Sequence, residues 1–168
     1  MYQIEEMVLY GVHGVCRIVA IETMKFGRTR GKYYSLQPLD HPGARFYVPT
    51  DNDTASAKMK PLMSRPELLD LLKSPDIRQD LWIDEENIRK MKYRELIARA
   101  DRTELLSLVY TLYKHKKLML ESGRKFHLSD ETFLHDAQKM LSGEFTVVLD
   151  MAPTDTYNLL VGELGVGE

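Results

Sequence analysis

One pair of side chains has the types and spacing of a nucleophile and its base. His13 and Cys16 lie three residues apart, and an imidazole at that distance could activate a thiol. Such a pair also needs a third group that orients the base, and the surrounding sequence offers none in a recognisable context. A histidine in a turn beside a small buried strand residue is the simpler interpretation.

A second pair has the spacing of metal ligands. Glu131 and His135 are four residues apart, which places both on one face of a predicted helix. No further cluster of cysteines or histidines completes a coordination shell, so a solvated helix face is the simpler interpretation. The glycines of residues 27–31 lack the spacing and the following helix of a phosphate-binding loop. We therefore predict a protein that is not an enzyme and that holds neither a metal nor a cofactor.

A basic segment is the feature that most favours nucleic-acid binding. Residues 88–125 contain eleven lysines and arginines against four acids, although the whole chain has a net charge of −2. The single tryptophan, Trp82, lies six residues before this segment. Basic side chains that neutralise phosphates release counterions, and an apolar aromatic ring can lean on or part a base step. The alternative is a helix face that is merely solvated.

The bulk composition is that of a globular protein. With 168 residues, of which 43% are hydrophobic and 29% charged, the chain can bury one sizeable core or two small ones. No apolar run approaches the ~20 residues of a membrane span, and the N-terminus lacks the basic region of a signal peptide. We therefore expect a cytoplasmic protein without membrane contact, and the lone Cys16 agrees with a reducing compartment.

The hydrophobic periodicity divides the chain into two domains and an α+β fold. Residues 1–55 contain short β-branched and aromatic runs between turn formers, which predicts a small Tudor- or SH3-like five-stranded antiparallel β-barrel. Residues 64–168 have helical periodicity and predict a compact all-helical domain of four to five helices. Residues 56–63 are the expected linker. Capping signals predict helix starts at Ser64, Asp101 and Ser129.

Several weak motifs occur in an order and spacing that together resemble the CarD/CdnL/TRCF family of bacterial RNA polymerase-binding proteins. In the first domain these motifs are Tyr-x-x-His-Gly at 10–14, Ile-Glu at 21–22, Tyr-Tyr-Ser-Leu at 33–36 and Val-Pro-Thr-Asp-Asn at 48–52. In the second domain they are Lys-Tyr-Arg-Glu-Leu at 92–96, Tyr-Lys-His-Lys-Lys at 113–117 and Leu-Ser-Asp-Glu at 128–131. The resemblance thus extends to about Asp150. The length of 168 residues and the missing phosphate-binding loop favour the stand-alone type over the repair-coupling ATPase.

The resemblance implies that the first domain docks on the RNA polymerase β subunit. In the family this domain adds a strand to a sheet of the β lobe, a mode in which backbone hydrogen bonds give affinity and alternate side chains give specificity. The residues implied for docking are Met24, Arg45, Phe46, Tyr47 and Val48. Met24 and Tyr47 stand where some relatives have arginines, which makes the expected contact more apolar.

The resemblance also implies that the helical domain contacts promoter DNA at the upstream edge of the transcription bubble and favours the open complex. Trp82 matches the tryptophan that wedges into the minor groove in the family, although a place in the helical core is the alternative. Basic residues would then hold phosphates without reading sequence. The implied phosphate contacts are Arg89, Lys90, Lys92 and Arg94, with Lys114, Lys116 and Lys117 as a second contact line or a solvated face.

One feature of the chain leaves the expected DNA contact open to an alternative. Residues 84–86 follow Trp82 with three acids, which would repel phosphate unless they lie at a helix N-terminus and point away. A protein–protein interaction module without DNA contact is the second functional hypothesis. Under the first hypothesis we expect a monomer, associated with the nucleoid through RNA polymerase.

Overall fold

Short β-branched and aromatic runs form the strands of an antiparallel sheet in the first part of the chain, as predicted. The computed structural model describes residues 1–166 and divides into two units, Met1–Leu62 and the residues from Met63 onward. The first unit contains β1 (Met7–Tyr10), a 3-10 turn (Gly11–His13), β2 (Val15–Phe26), β3 (Thr29–Pro38), β4 (Phe46–Pro49), α1 (Asp53–Ser56) and β5 (Met59–Pro61). The strand order in the sheet is β4-β3-β2-β1-β5, and each neighbouring pair is antiparallel.

The sheet is open, whereas a closed barrel was expected. Its edge strands, β4 and β5, contain four and three residues. Closure would require these edges to pair, and no such pairing occurs within residues 1–166. Strand β5 lies inside the segment that was expected to be a linker, and its Met59 pairs with Tyr10 of β1. Part of residues 56–63 therefore belongs to the sheet.

One face of the sheet carries the core of the first unit. Cys16 is fully buried on β2, as the strand interpretation of this residue predicts, and it carries no disulfide. The register of β2 against β3 shifts between Ile18 and Ala20, as at a β-bulge. The buried residues that pack together are Val8, Cys16, Ile18, Tyr34, Leu36, Val48 and Met59.

Within residues 63–166 the second unit contains five helices, in agreement with the four to five predicted. They are α2 (Arg65–Lys73), α3 (Glu86–Arg99), α4 (Arg102–Glu121), α5 (Leu128–Leu149) and α6 (Pro153–Leu164), with a 3-10 turn at Pro75–Arg78 after α2. Their core contains Leu105, Leu108, Leu112, Leu141 and Phe145. No helix within the described part of the chain is both long and apolar enough to cross a membrane.

Two of the three predicted helix caps are confirmed. The Ser64 hydroxyl accepts a hydrogen bond from the backbone N–H of Glu67, and the Glu67 carboxylate accepts one from the backbone N–H of Ser64. Asp101 caps α4 by accepting a hydrogen bond from Glu104 N–H. The Ser129 prediction is wrong because α5 begins one residue earlier, at Leu128, and places the serine inside the first turn.

Candidate functional site

The segment that carries Trp82 connects the 3-10 turn to α3 and is tied to two helices by buried polar groups. Leu81 N–H donates to the Thr111 hydroxyl of α4 at 2.8 Å, and the Tyr93 hydroxyl of α3 donates to the Leu81 carbonyl at 3.0 Å. Gln79 N–H donates to the Ser107 hydroxyl at 3.3 Å. Burial raises the pKa of Tyr93, so this hydroxyl stays protonated and keeps its donor role. The backbone before Trp82 is therefore fixed.

The Trp82 indole is half-buried and held at the surface by its neighbours. Its ring stacks on the His115 imidazole, with ring centroids 4.3 Å apart and an angle of 7° between the planes. The Arg89 Cζ atom lies 4.3 Å from the indole centroid, and the indole Nε1–H donates to Asp84 Oδ1 at 3.1 Å. Trp82 is therefore neither a fully buried core residue nor a freely moving side chain.

The Asp80 carboxylate connects three groups around the indole: Lys114, His115 and the Trp82 backbone. It accepts hydrogen bonds from Lys114 Nζ at 3.1 Å and from the Trp82 backbone N–H at 3.0 Å, and His115 Nε2 lies 3.0 Å from Oδ2. Partial burial opposes ionisation, but the hydrogen bonds from His115, Trp82 and Lys114 outweigh it and lower the pKa of Asp80. Lys114 is thus engaged within the protein.

Arg89 is buried and does not reach solvent. Arg89 as a whole is only 1% exposed. Its guanidinium donates two hydrogen bonds to the fully buried carboxylate of Asp130, one from Nε at 2.9 Å and one from Nη2 at 2.8 Å. A guanidinium in a bidentate pair with a buried acid has its charge already matched. The structure therefore removes Arg89 from the candidate phosphate contacts.

The acids that follow Trp82 lie around the N-terminus of α3. Glu85 is the N-cap residue and accepts a hydrogen bond from Ile88 N–H at 2.7 Å. Glu86 pairs with Lys90 at 3.0 Å, and Asp84 accepts the indole hydrogen bond. A helix N-terminus favours negative charge, so each of these acids has a structural partner.

The remaining basic side chains divide into paired and unpaired groups. Lys92 lies 3.9 Å from Glu95, and Lys116 pairs with Glu131 at 2.8 Å. No group of three or more potential metal ligands occurs within the described residues. Within residues 1–166, the lysines and arginines of the basic segment without a salt bridge or side-chain hydrogen bond are Arg94, Lys117, Arg124 and Lys125. Arg124 lines a cleft of about 550 Å³ together with Trp82, His115 and His127.

Strand β4 forms one edge of the sheet in the first unit. Thr50 N–H donates to the Lys32 carbonyl, which makes Thr50 and Lys32 a hydrogen-bonded pair. Hydrogen-bonded and non-hydrogen-bonded pairs alternate along an antiparallel ladder, and Tyr47 lies opposite Ser35, three residues before Thr50. The Tyr47 N–H and C=O groups therefore point away from β3, toward the open edge.

An aromatic cluster borders this edge. The Tyr47 side chain is 40% exposed, and its ring centroid lies 5.6 Å from that of Phe26 on the β2–β3 hairpin. Phe26 is also exposed and makes an edge-on contact with Tyr33 at 5.0 Å. The edge thus offers a backbone donor and acceptor beside exposed aromatic surface.

Residues 2–62 match the family model described as the CarD-like/TRCF RID domain. The first unit is a CarD-like/TRCF RID domain. The match covers every strand of the sheet, including β5 and the β4 edge. Domains of this family interact with RNA polymerase, so this chain has a transcription-associated, protein-binding role. Comparison with curated proteins gave no match.

Within the RID domain, the five predicted docking residues differ in what they present. Tyr47 exposes its ring, and its backbone N–H and C=O groups face the open edge of the sheet. Met24 is half-buried. The Arg45 guanidinium donates to the Pro42 and Ala44 carbonyls of its own loop. Val48 is 1% exposed and belongs to the core, while Phe46 packs on His13 with ring centroids 4.1 Å apart. Both pair with β3 through their backbone, so neither presents its backbone to the edge.

Three participants in the Trp82 environment were missed by the sequence analysis. Asp80 and His115 hold the indole and its loop, and Asp130 fixes Arg89 from another helix. Asp80 stands two residues before the tryptophan, so proximity was a usable signal for it, and His115 could have been found through the Tyr-Lys-His-Lys-Lys motif at 113–117. Asp130 lies within the Leu-Ser-Asp-Glu motif at 128–131, but that motif did not indicate its pairing with Arg89, 41 residues earlier in the chain.

Proposed function

We propose that this protein is a transcription regulator that docks on the RNA polymerase β subunit and stabilises the open promoter complex. Its RID domain adds strand β4 to a sheet of the β subunit, and its helical unit contacts promoter DNA at the upstream edge of the bubble. The observation that carries the docking step is the β4 edge, where Tyr47 turns a free backbone donor and acceptor outward beside exposed aromatic rings. This role would keep the protein with RNA polymerase on the nucleoid.

The proposed DNA contact rests on Trp82 and on the unpaired basic residues. The indole is held at the surface and lines a cleft that Arg124 also lines, together with the acids Asp84 and Glu86, whose charges already have partners around the N-terminus of α3. Lys117 and Lys125 provide further unpaired charge on the C-terminal part of α4 and the loop after it. Unpaired cations can neutralise phosphates without first breaking a protein salt bridge. The contact set therefore shifts from α3 toward Lys117, Arg124 and Lys125, with Arg94 retained.

A salt titration tests this shift. In the Lys117→Ala/Arg124→Ala/Lys125→Ala variant, we expect open-complex stabilisation to depend less on salt, by about one unit of log–log slope for each lost phosphate contact. The preference among promoter sequences should change little, because phosphate contacts carry no base information. The measurement is the lifetime of the promoter complex between low and high salt.

The matched control for this titration removes the same number of charges from paired lysines. Lys90, Lys92 and Lys116 each have an acidic partner within the protein, so replacing all three by alanine should leave most of the salt slope in place. If both triple variants lower the salt slope equally, the net charge of the protein, rather than the position of the unpaired cations, determines the salt dependence. An unchanged slope in the first variant would mean that its cations do not touch DNA.

The second candidate function is a protein-binding module without DNA contact. It is favoured by one observation, the internal pairing of Arg89, Lys90, Lys92, Lys114 and Lys116. Under this function the basic residues contribute to packing and solubility. The effect of the protein on the lifetime of promoter complexes would then depend little on salt. The titration above separates the two functions.

A further inference from the structure

The Arg89 guanidinium has two sets of partners, and the first set lies on α5. Its Nε and Nη2 groups donate to the two carboxylate oxygens of Asp130 at 2.9 and 2.8 Å. Arg89 is 1% exposed and Asp130 is fully buried. The planar fork of an arginine matches a carboxylate in two parallel hydrogen bonds, which fixes the orientation of the whole group.

The second set of partners lies on the Trp82 segment. Arg89 Nη1 donates to the carbonyl of Ile83 at 2.9 Å and to that of Asp84 at 3.3 Å. Its Cζ atom lies 4.3 Å from the centroid of the Trp82 ring. One guanidinium thus holds the two residues that follow the tryptophan and also contacts the indole itself.

The chain offers a second ion pair for comparison. Arg102 and Glu144 are joined by two hydrogen bonds at 3.0 and 2.6 Å, and the Glu144 carboxylate is almost completely buried. Glu144 also accepts a hydrogen bond from Met63 N–H at 3.4 Å, so this pair holds the start of the helical unit. The two pairs resemble each other in chemistry, and the Arg89–Asp130 pair is the one that makes the contacts to the Trp82 segment described above.

We propose that Arg89, oriented by Asp130, is a positioning residue that holds the Trp82 indole ready for DNA contact. This inference rests on the proposed function, because it assigns the pair a role in the same contact. Buried ion pairs add little stability over apolar residues of similar size, so directional control of the Trp82 segment is what this pair contributes. Arg89 itself stays away from phosphate.

The test compares Asp130→Asn with Glu144→Gln in the full chain. Each change replaces a buried carboxylate of a bidentate pair by the amide of the same shape, so a general loss of stability should affect both variants. Trp82 is the only tryptophan, and its fluorescence therefore reports on this segment alone. We expect acrylamide to quench Trp82 more strongly in Asp130→Asn, while Glu144→Gln keeps the wild-type quenching.

The functional readout is the lifetime of the open complex. Asp130→Asn should shorten it toward the value of Trp82→Ala, a loss of up to about 5- to 150-fold, with binding to the β subunit unchanged. Glu144→Gln should keep the wild-type lifetime. Thermal melts serve as the control that both variants are folded at the assay temperature. If Asp130→Asn is unfolded there, Arg89→Lys, which keeps the charge and loses the fork, is measured by the same criteria.

Two results would overturn the proposal. One is wild-type quenching in a folded Asp130→Asn protein, and the other is increased quenching with an unchanged open-complex lifetime. Failure of the proposed function has a different signature. In that case Trp82→Ala itself leaves the lifetime unchanged, whereas the quenching comparison, which requires no polymerase, still reports whether the pair orients the indole.

Discussion

Replacing Tyr47 by proline is expected to weaken docking on the RNA polymerase β subunit at least about tenfold while leaving the RID domain folded. The Tyr47 N–H points to the open edge, so proline removes a donor that an added strand needs and keeps the internal hydrogen bonds between β3 and β4. Loss of one backbone hydrogen bond costs about 0.5–1.5 kcal/mol, and the proline ring also hinders the approach of a strand. Together we expect at least about tenfold weaker binding.

The matched control for this variant is Tyr47→Ala, which removes the ring and keeps the backbone donor. Binding of the full chain to the isolated β lobe, with thermal melts in parallel, separates the two contributions. Strand addition predicts a much larger loss for proline than for alanine. Equal losses would assign recognition to the aromatic cluster of Tyr47 and Phe26, and full binding by a folded Tyr47→Pro protein would contradict strand addition.

The strands of the RID domain were largely predictable because their signal is local. Short β-branched and aromatic runs between turn formers indicated β1 to β4. Strand β5 was missed because Met59–Pro61 contains three residues, one of them proline, and no alternation. Its place in the sheet depends on pairing with β1, about 50 residues earlier in the chain.

The candidate site was less predictable because burial on α3 is decided by distant partners. Ile88 and Met91 are apolar residues in the first half of α3, yet they are 46% and 49% exposed. The buried face instead contains Arg89 and Tyr93, an orientation that the sequence pattern of α3 does not reveal. An arginine becomes a core residue only if a carboxylate meets it, and Asp130 comes from another helix. The resemblance and the local positive charge therefore implied a phosphate contact for Arg89.

Replacing Trp82 by alanine should shorten the open-complex lifetime by roughly 5- to 150-fold, which corresponds to ~1–3 kcal/mol of base–aromatic stacking. The loss falls on a contact made only when the strands have parted, so docking on the β subunit should be unaffected. Because the indole is half-buried, the fold should lose less than the ~3–5 kcal/mol that removal of a fully buried aromatic residue costs.

The control for Trp82→Ala is His115→Ala, which removes the stacked neighbour and keeps the indole. If the indole itself makes the DNA contact, His115→Ala should shorten the lifetime less than Trp82→Ala does. If the two variants shorten it equally at matched stability, the packed cluster as a whole, rather than the tryptophan, determines the effect.

The most direct test of the proposed function is the decay of preformed open complexes after addition of a DNA competitor. The decay is followed with polymerase alone, with the wild-type protein and with Trp82→Ala, at a concentration that saturates the β subunit. If the proposed function is right, open complexes decay slowly with the wild-type protein and about as fast as with polymerase alone when Trp82→Ala is added. Equal decay rates for wild type and a folded, β-bound Trp82→Ala protein would contradict it.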